Sequence, residues 1–219
     1  MILAGPVRLA TLRFFRVCIN LTNSCSNYCE YLDKDSILSI ALARLVTSDP
    51  QKYCDGEVVE NSTSDRHSPS SVNDDQGRKE FQFEILLLSL GLLINFVQES
   101  TEVKDKILAS SVATDIKNLF ENLMTRKVFI LSVYTDFEES ANHALGYLAL
   151  LLAHLMIPSV HGRALGVNLG TRHWVERLLD DFVNIHRVVQ SQSQEEVERK
   201  EVEGMAGEVE RVLTVLRSQ

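Results

Sequence analysis

Two stretches of this chain repeat one pattern: Val17-Cys18-Ile19-Asn20-Leu21-Thr22 and Leu92-Leu93-Ile94-Asn95-Phe96-Val97. In each, an apolar run at helical spacing is broken by an Asn after Ile, ends in polar residues and resumes as a second apolar period. A third stretch, Tyr147 to Leu155, repeats the run and the corner without the Asn. The recurrence predicts an all-α fold, a HEAT/armadillo-like α-solenoid of stacked antiparallel helices with one long disordered loop. Such a fold directs attention to a surface rather than to a catalytic cleft.

The pattern divides the chain into four parts. Residues 1–46 read as the first helical repeats. Val7, Leu9, Leu12, Phe15, Val17 and Ile19 form one amphipathic face and Arg8, Arg13 and Arg16 the other. After a corner at Asn23 to Asn27, Tyr28, Tyr31 and Leu32 open a second run that ends at Asp49-Pro50. Residues 47–79 are rich in Ser, Asp, Asn and Glu, which predicts a disordered loop or insertion, because little apolar surface is there to offset the entropy of ordering. Ser68, before Pro69, is a candidate phosphorylation position in that spacer.

Residues 80–189 read as the central and C-terminal repeats of the same domain. Phe81 to Gln98 is apolar nearly all round, as a central helix would be, and Ser100 or Thr101 caps the next helix. Ile116, Leu119, Phe120 and Leu123 mark a further amphipathic helix, while Lys127 to Tyr134 fits a strand, a helix or a buried link. Asp136 and Glu139 form a capping box for a helix that stops before Pro158. Thr171 is the expected N-cap of the helix that buries Trp174, Leu178, Phe182, Ile185 and Val189. Residues 190–219 form an acidic linker and an amphipathic C-terminal helix. Its stripe of Met205, Val209, Val212, Leu213 and Leu216 packs on the array as a cap, or binds a partner.

Composition narrows the function. The 219 residues are 45% hydrophobic, enough for a real core, and the net charge of −8 repels a nucleic-acid backbone, so direct nucleic-acid binding is not expected. The apolar runs Ile85 to Val97 and Ala144 to Ile157 fall short of the roughly 20 residues that cross a bilayer, so they read as core helices and no membrane is expected. Met1 to Ala4 lacks a basic region and meets Gly5-Pro6, unlike a signal peptide. Cys18, Cys25, Cys29 and Cys54 suggest no disulfide framework; Cys25 and Cys29 lie one helical turn apart, but no second ligand pair follows at finger spacing. No phosphate loop, nucleotide fingerprint or nucleophile elbow occurs, so neither catalysis, a cofactor nor a small-molecule substrate is expected. His154, within an apolar helix, reads as a hydrogen-bonded core imidazole. Asn20 and Asn95 read as register residues that bond the backbone of the adjoining repeat; the alternative is an amide row gripping a bound peptide.

The strings VRLATLRFFRVCINLTN (Val7 to Asn23) and LLLSLGLLINFVQES (Leu86 to Ser100), then GYLALLLAHLMIPSVHGRAL (Gly146 to Leu165) and WVERLLDDFVNI (Trp174 to Ile185), resemble the C-terminal helical domain of the wings-apart-like (Wapl) family of cohesin release factors, in a fungal-type or divergent form. The resemblance covers most of residues 7–189, and the chain looks like the C-terminal part of that domain. It implies a HEAT-like array in the nucleus, associated with chromatin. There it would work on cohesin near the SMC ATPase heads and HEAT-repeat accessory subunits, promoting release of the ring without catalysis. The Phe-Gly-Phe peptides through which the family reaches an accessory subunit have no counterpart in this sequence. The polar side of the last family-like helix, Arg172, His173, Glu176, Arg177, Asp180, Asp181 and Asn184, is the expected partner face.

Overall fold

In a computed structural model the chain is all-helical, with residues 5–24, 26–48, 69–130, 136–192 and 196–219 described and no strand among them. The helices are α1 (Gly5–Ser24), α2 (Ser26–Leu32), α3 (Ile37–Thr47), α4 (Pro69–Glu99), α5 (Thr101–Ala109), α6 (Val112–Ile130), α7 (Asp136–Met156), α8 (Leu169–Gln192) and α9 (Glu196–Arg217).

Their neighbours follow a regular order. α4 packs between α1 and α7, and α7 also meets α8 and α9; on the other side α3 packs on both α4 and α6, and α6 on α7. The first pair runs parallel: Arg8 reaches the Gly77 carbonyl, Arg16 pairs with Glu84, and Asn95 bonds Thr22, so partners ascend together along both helices. α8 and α9 run antiparallel, since Arg172 reaches the Leu216 carbonyl while Arg187 pairs with Glu210.

The core is one continuous cluster. Leu86, Leu90, Leu93 and Phe96 of α4, Ile116 and Phe120 of α6, and Leu145, Leu148 and Leu152 of α7 are among its most deeply buried members. Together they explain why α4 is apolar nearly all round: it has neighbours on several sides. The stretch Glu80–Glu99 is in fact 20 residues long and apolar enough to cross a membrane by length and composition, contrary to the shorter run read from sequence. Its burial between α1, α3 and α7 accounts for that composition as a core helix.

Several expectations need correction. α4 begins at Pro69, inside the stretch 47–79 expected to be loop; proline suits the first helical position, and Arg8 of α1 docks along this half, on the Gly77 carbonyl and over the Phe81 ring. The rest of that loop, 49–68, lies outside the described residues, as do Cys25 and Cys54. The run from Tyr28 to Val46 is two helices, α2 and α3, because the chain turns at 33–36. There Ser36 adopts a left-handed conformation and the Asp33 carboxylate accepts from the Leu38 amide at 2.8 Å.

Lys127 to Ile130 completes α6, while 131–135 and the side chains of the Asp136/Glu139 box lie outside the described residues. Ser100 caps α5 by accepting from the Val103 amide. The cap of α8 is Asn168, not Thr171: the Asn168 Oδ1 accepts from the Thr171 amide at 2.7 Å. Buried Thr171 instead donates its hydroxyl to Glu121 of α6. On α8 the deepest positions are Val175, Leu179 and Val183, with Trp174, Leu178 and Phe182 at the margin, because α7 and α9 flank the helix from two sides. The side chains of Ile185 and Val189 are outside the described residues.

Candidate functional site: a groove across the stacked helices

α1, α4, α7, α8 and α9 together line an open groove of about 1050 Å³. Its floor is made where α4 passes under its neighbours. A Cβ added at Gly91 would stand 3.7 Å from both Ile19 Cδ1 and Tyr147 Cε1, so a methyl fits there and a longer side chain would enter the groove. Leu87, Leu88, Leu150, Leu179 and Phe182 supply the apolar wall. The rim is polar and tied helix to helix, since Arg16 of α1 pairs with Glu84 of α4 and Gln98 of α4 donates to Glu208 of α9 at 3.1 Å; within α9, Arg211 also pairs with Glu208. These exposed pairs contribute little to stability but fix where charge sits.

Both Asn20 and Asn95 line the groove, each in the last turn of its helix. They do not behave alike. Asn95 is half-buried and its Nδ2 donates to Thr22 Oγ1 at 2.8 Å, while Thr22 in turn donates to the Cys18 or Ile19 carbonyl. That bond ties α4 to α1. Asn20 is exposed, so the cost of burying an unsatisfied amide does not operate there. Cys18 and Cys29 are buried thiols beside this junction; burial pushes the Cys18 thiol up, and Cys29 Sγ approaches the Asn95 carbonyl at 3.8 Å.

The polar face expected on α8 divides into two stripes. Arg172, Glu176 and Asp180 are half-buried: Arg172 donates to Glu176 at 2.9 Å and to the Leu216 carbonyl, and Asp180 pairs with Arg217. They hold α9 in place. His173, Arg177, Asp181 and Asn184 are exposed, with the Arg177 guanidinium 5.5 Å from the Trp174 ring centroid. Only this second stripe is open to a partner.

A second polar cluster was not legible in the sequence. Lys104 and Asp105 of α5 and His154 of α7 are all buried. Desolvation lowers the Lys104 pKa, opposed by the Asp105 charge, and burial together with the Lys104 charge pushes His154 down to about 4. His154 is thus buried as expected, but among the described residues its Nε2 has no hydrogen-bond partner, and neither Asp105 oxygen has one. The His161 Nε2 stands 3.6 Å from Asp105 Oδ2, within ion-pair range but too long for a hydrogen bond. Among the described residues no group of three or more His, Cys, Asp or Glu side chains is arranged to hold a metal ion.

No family model matches this chain, and no curated protein and no solved structure matches it either.

Proposed function

We propose that the chain is a noncatalytic, HEAT/armadillo-like helical array that engages cohesin in the nucleus, at its SMC ATPase heads and HEAT-repeat accessory subunits, and promotes release of the ring from chromatin. One observation carries the reading. The four strings that resemble the Wapl domain are scattered from Val7 to Ile185, yet each contributes side chains to the same groove. Asn20 comes from the first, Gly91 and Asn95 from the second, Tyr147 from the third and Phe182 from the fourth. The ordered neighbours α1, α4 and α7 support the stacked-array part of the reading. A release factor must bind one state of its partner better than another, because equal binding shifts no equilibrium, and a preformed groove in a packed helical stack suits that role.

Affinity capture from nuclear extract tests the proposal, comparing wild-type protein with Gly91→Leu, which fills the groove floor. Cohesin subunits on the wild-type protein, depleted on the variant, are expected. A second reading is a peptide-binding adaptor unrelated to cohesin, favoured by the amides Asn20, Asn23, Asn95 and Gln98 along the groove, which can both donate to and accept from an extended backbone. Recovery of unrelated proteins without cohesin, still dependent on Gly91, would select that reading.

A further inference from the structure

The connection between α7 and α8, residues 157–168, holds a hydrogen-bonded turn rather than a slack link. Gly162 donates its amide to the Ser159 carbonyl at 2.9 Å and stands in the left-handed region at φ 70°, which glycine adopts without strain. The Arg163 amide donates to the Ser159 hydroxyl at 3.2 Å, the Ser159 amide to the Arg163 carbonyl at 2.7 Å, and the Leu165 amide to the Leu155 carbonyl at 2.8 Å. The turn therefore presents His161 at a set place: its side chain is 71% exposed, with Nε2 3.6 Å from Asp105 Oδ2 on α5. Asp105 is the unusual half of this pair. It is only 6% exposed, and among the described residues neither of its carboxylate oxygens has a hydrogen bond, a costly state for a buried acceptor.

We propose that His161 and Asp105 form a proton-operated latch: the protonated imidazole donates to the buried carboxylate and fastens the α7–α8 connection onto α5, and the neutral imidazole leaves that connection free to open. Closure needs Nε2 to approach by less than about 1 Å, to the ~2.8 Å of a charge-assisted bond. The carboxylate gains a donor it otherwise lacks, and histidine is the side chain whose charge changes near neutral pH. The other ionisable groups around α5 do not supply the same device. Lys104, beside Asp105, is itself buried, and burial together with the Lys104 charge pushes His154 of α7 down to about 4, so His154 stays neutral near neutral pH. Glu102 and Lys106 of α5 pair with each other, as do Lys117 and Glu121 of α6. Glu99 of α4, Asp115 of α6 and Arg163 of the connection are exposed. The latch is separate from the groove, which no residue of α5 or of the connection lines, and it does not depend on the cohesin reading.

Hydrogen exchange of the full chain tests the latch, read as protection factors at the bonded amides of Gly162, Arg163 and Leu165 between about pH 8 and about pH 6. Protection is expected to rise by roughly threefold to tenfold as the pH falls, the effect of one charge-assisted hydrogen bond reduced by solvent screening at an exposed imidazole. The sign separates this from His154, whose protonation loosens the fold as the pH falls. His161→Ala, at an exposed position, and Asp105→Asn, which keeps the shape and removes the charge, are each expected to abolish the rise. Unchanged circular-dichroism melts at the alkaline end check folding, and His161→Ala decides alone where Asp105→Asn fails that check. His154→Leu is expected to keep the rise. Protection that stays flat or falls toward acid in the wild-type chain overturns the proposal. So does a rise that persists in His161→Ala or in folded Asp105→Asn, or one that disappears in folded His154→Leu.

Discussion

Asn95 offers a direct measurement of how far one hydrogen bond holds two stacked helices in register. In Asn95→Leu, Thr22 Oγ1 loses the donor that now stands 2.8 Å away, although its own hydroxyl still donates to the Cys18 or Ile19 carbonyl. Thr22 is only 3% exposed, so water does not readily replace the lost donor. A net cost of about 1 kcal/mol is expected, with the added apolar surface of Leu at a half-buried site offsetting part of a larger gross loss. Thr22→Val removes the same bond from the other side and should also cost about 1 kcal/mol. The double variant then has no further bond to lose, so the two costs should fall short of adding, by about 0.5–1.5 kcal/mol. Urea unfolding at constant m-value reads these differences, and each 1 kcal/mol moves Tm by roughly 2–4 °C in a chain of this size. Additivity within about 0.3 kcal/mol would refute the register role. Unchanged stability in Asn95→Leu with loss of groove binding would reassign Asn95 to ligand contact.

His154 predicts an acid-sensitive fold. Its folded pKa of about 4 lies below the unfolded value of about 6.5, so the unfolded chain takes up the proton first. This share of stability is intact above pH 6.5 and falls by about 3 kcal/mol as pH drops to 4. The slope of unfolding free energy over that window should be shallower in His154→Leu, and equal slopes would contradict the assignment. At Gly91, replacement by Ala places a methyl in ordinary contact with Ile19 and Tyr147 inside a helix, and should stabilise by about 0.5–1 kcal/mol in thermal melts. On α8, Arg172→Ala should loosen α9, detected as faster amide exchange at Val212 to Leu216. Arg177→Ala should leave that exchange unchanged and act only on partner binding.

The helical class was legible because apolar periodicity is set locally, residue by residue, and the strongest cases, α7 and the Phe81–Gln98 part of α4, stand in the fold much as their patterns imply. What periodicity cannot supply is the direction of burial when a helix has more than one apolar side. Val7, Leu9 and Val17 were grouped with Phe15 and Ile19, yet the former are exposed and the latter pack on the core. The α8 face shows the same limit: Arg172 and Arg177 are equally charged in the sequence, and only the arrival of α9 from the far end of the chain separates a clamp from an open surface. Asn95 carried a usable signal, an amide inside an apolar run. Lys104 and Asp105 carried none, because in sequence they look like the solvated side of a short amphipathic helix.

The first and last helices differ in a way that bears on how the chain meets partners. α9 spends its apolar stripe, Ala206, Val209, Val212, Leu213 and Leu216, on its neighbours, and its outer side exposes Arg211, Thr214 and Arg217, with Val215 as a single apolar residue among them. A helix added there would have to desolvate guanidinium groups, one of them already paired with Asp180. α1 meets the opposite condition, with Val7, Phe14 and Val17 already facing water, so covering it releases apolar surface at little polar cost. Association is therefore favoured at the α1 end and along the groove, both of which α1 borders. A partner spanning them would touch Phe14 on one side of that helix and Asn20 on the other, and a substitution at either should weaken the same complex.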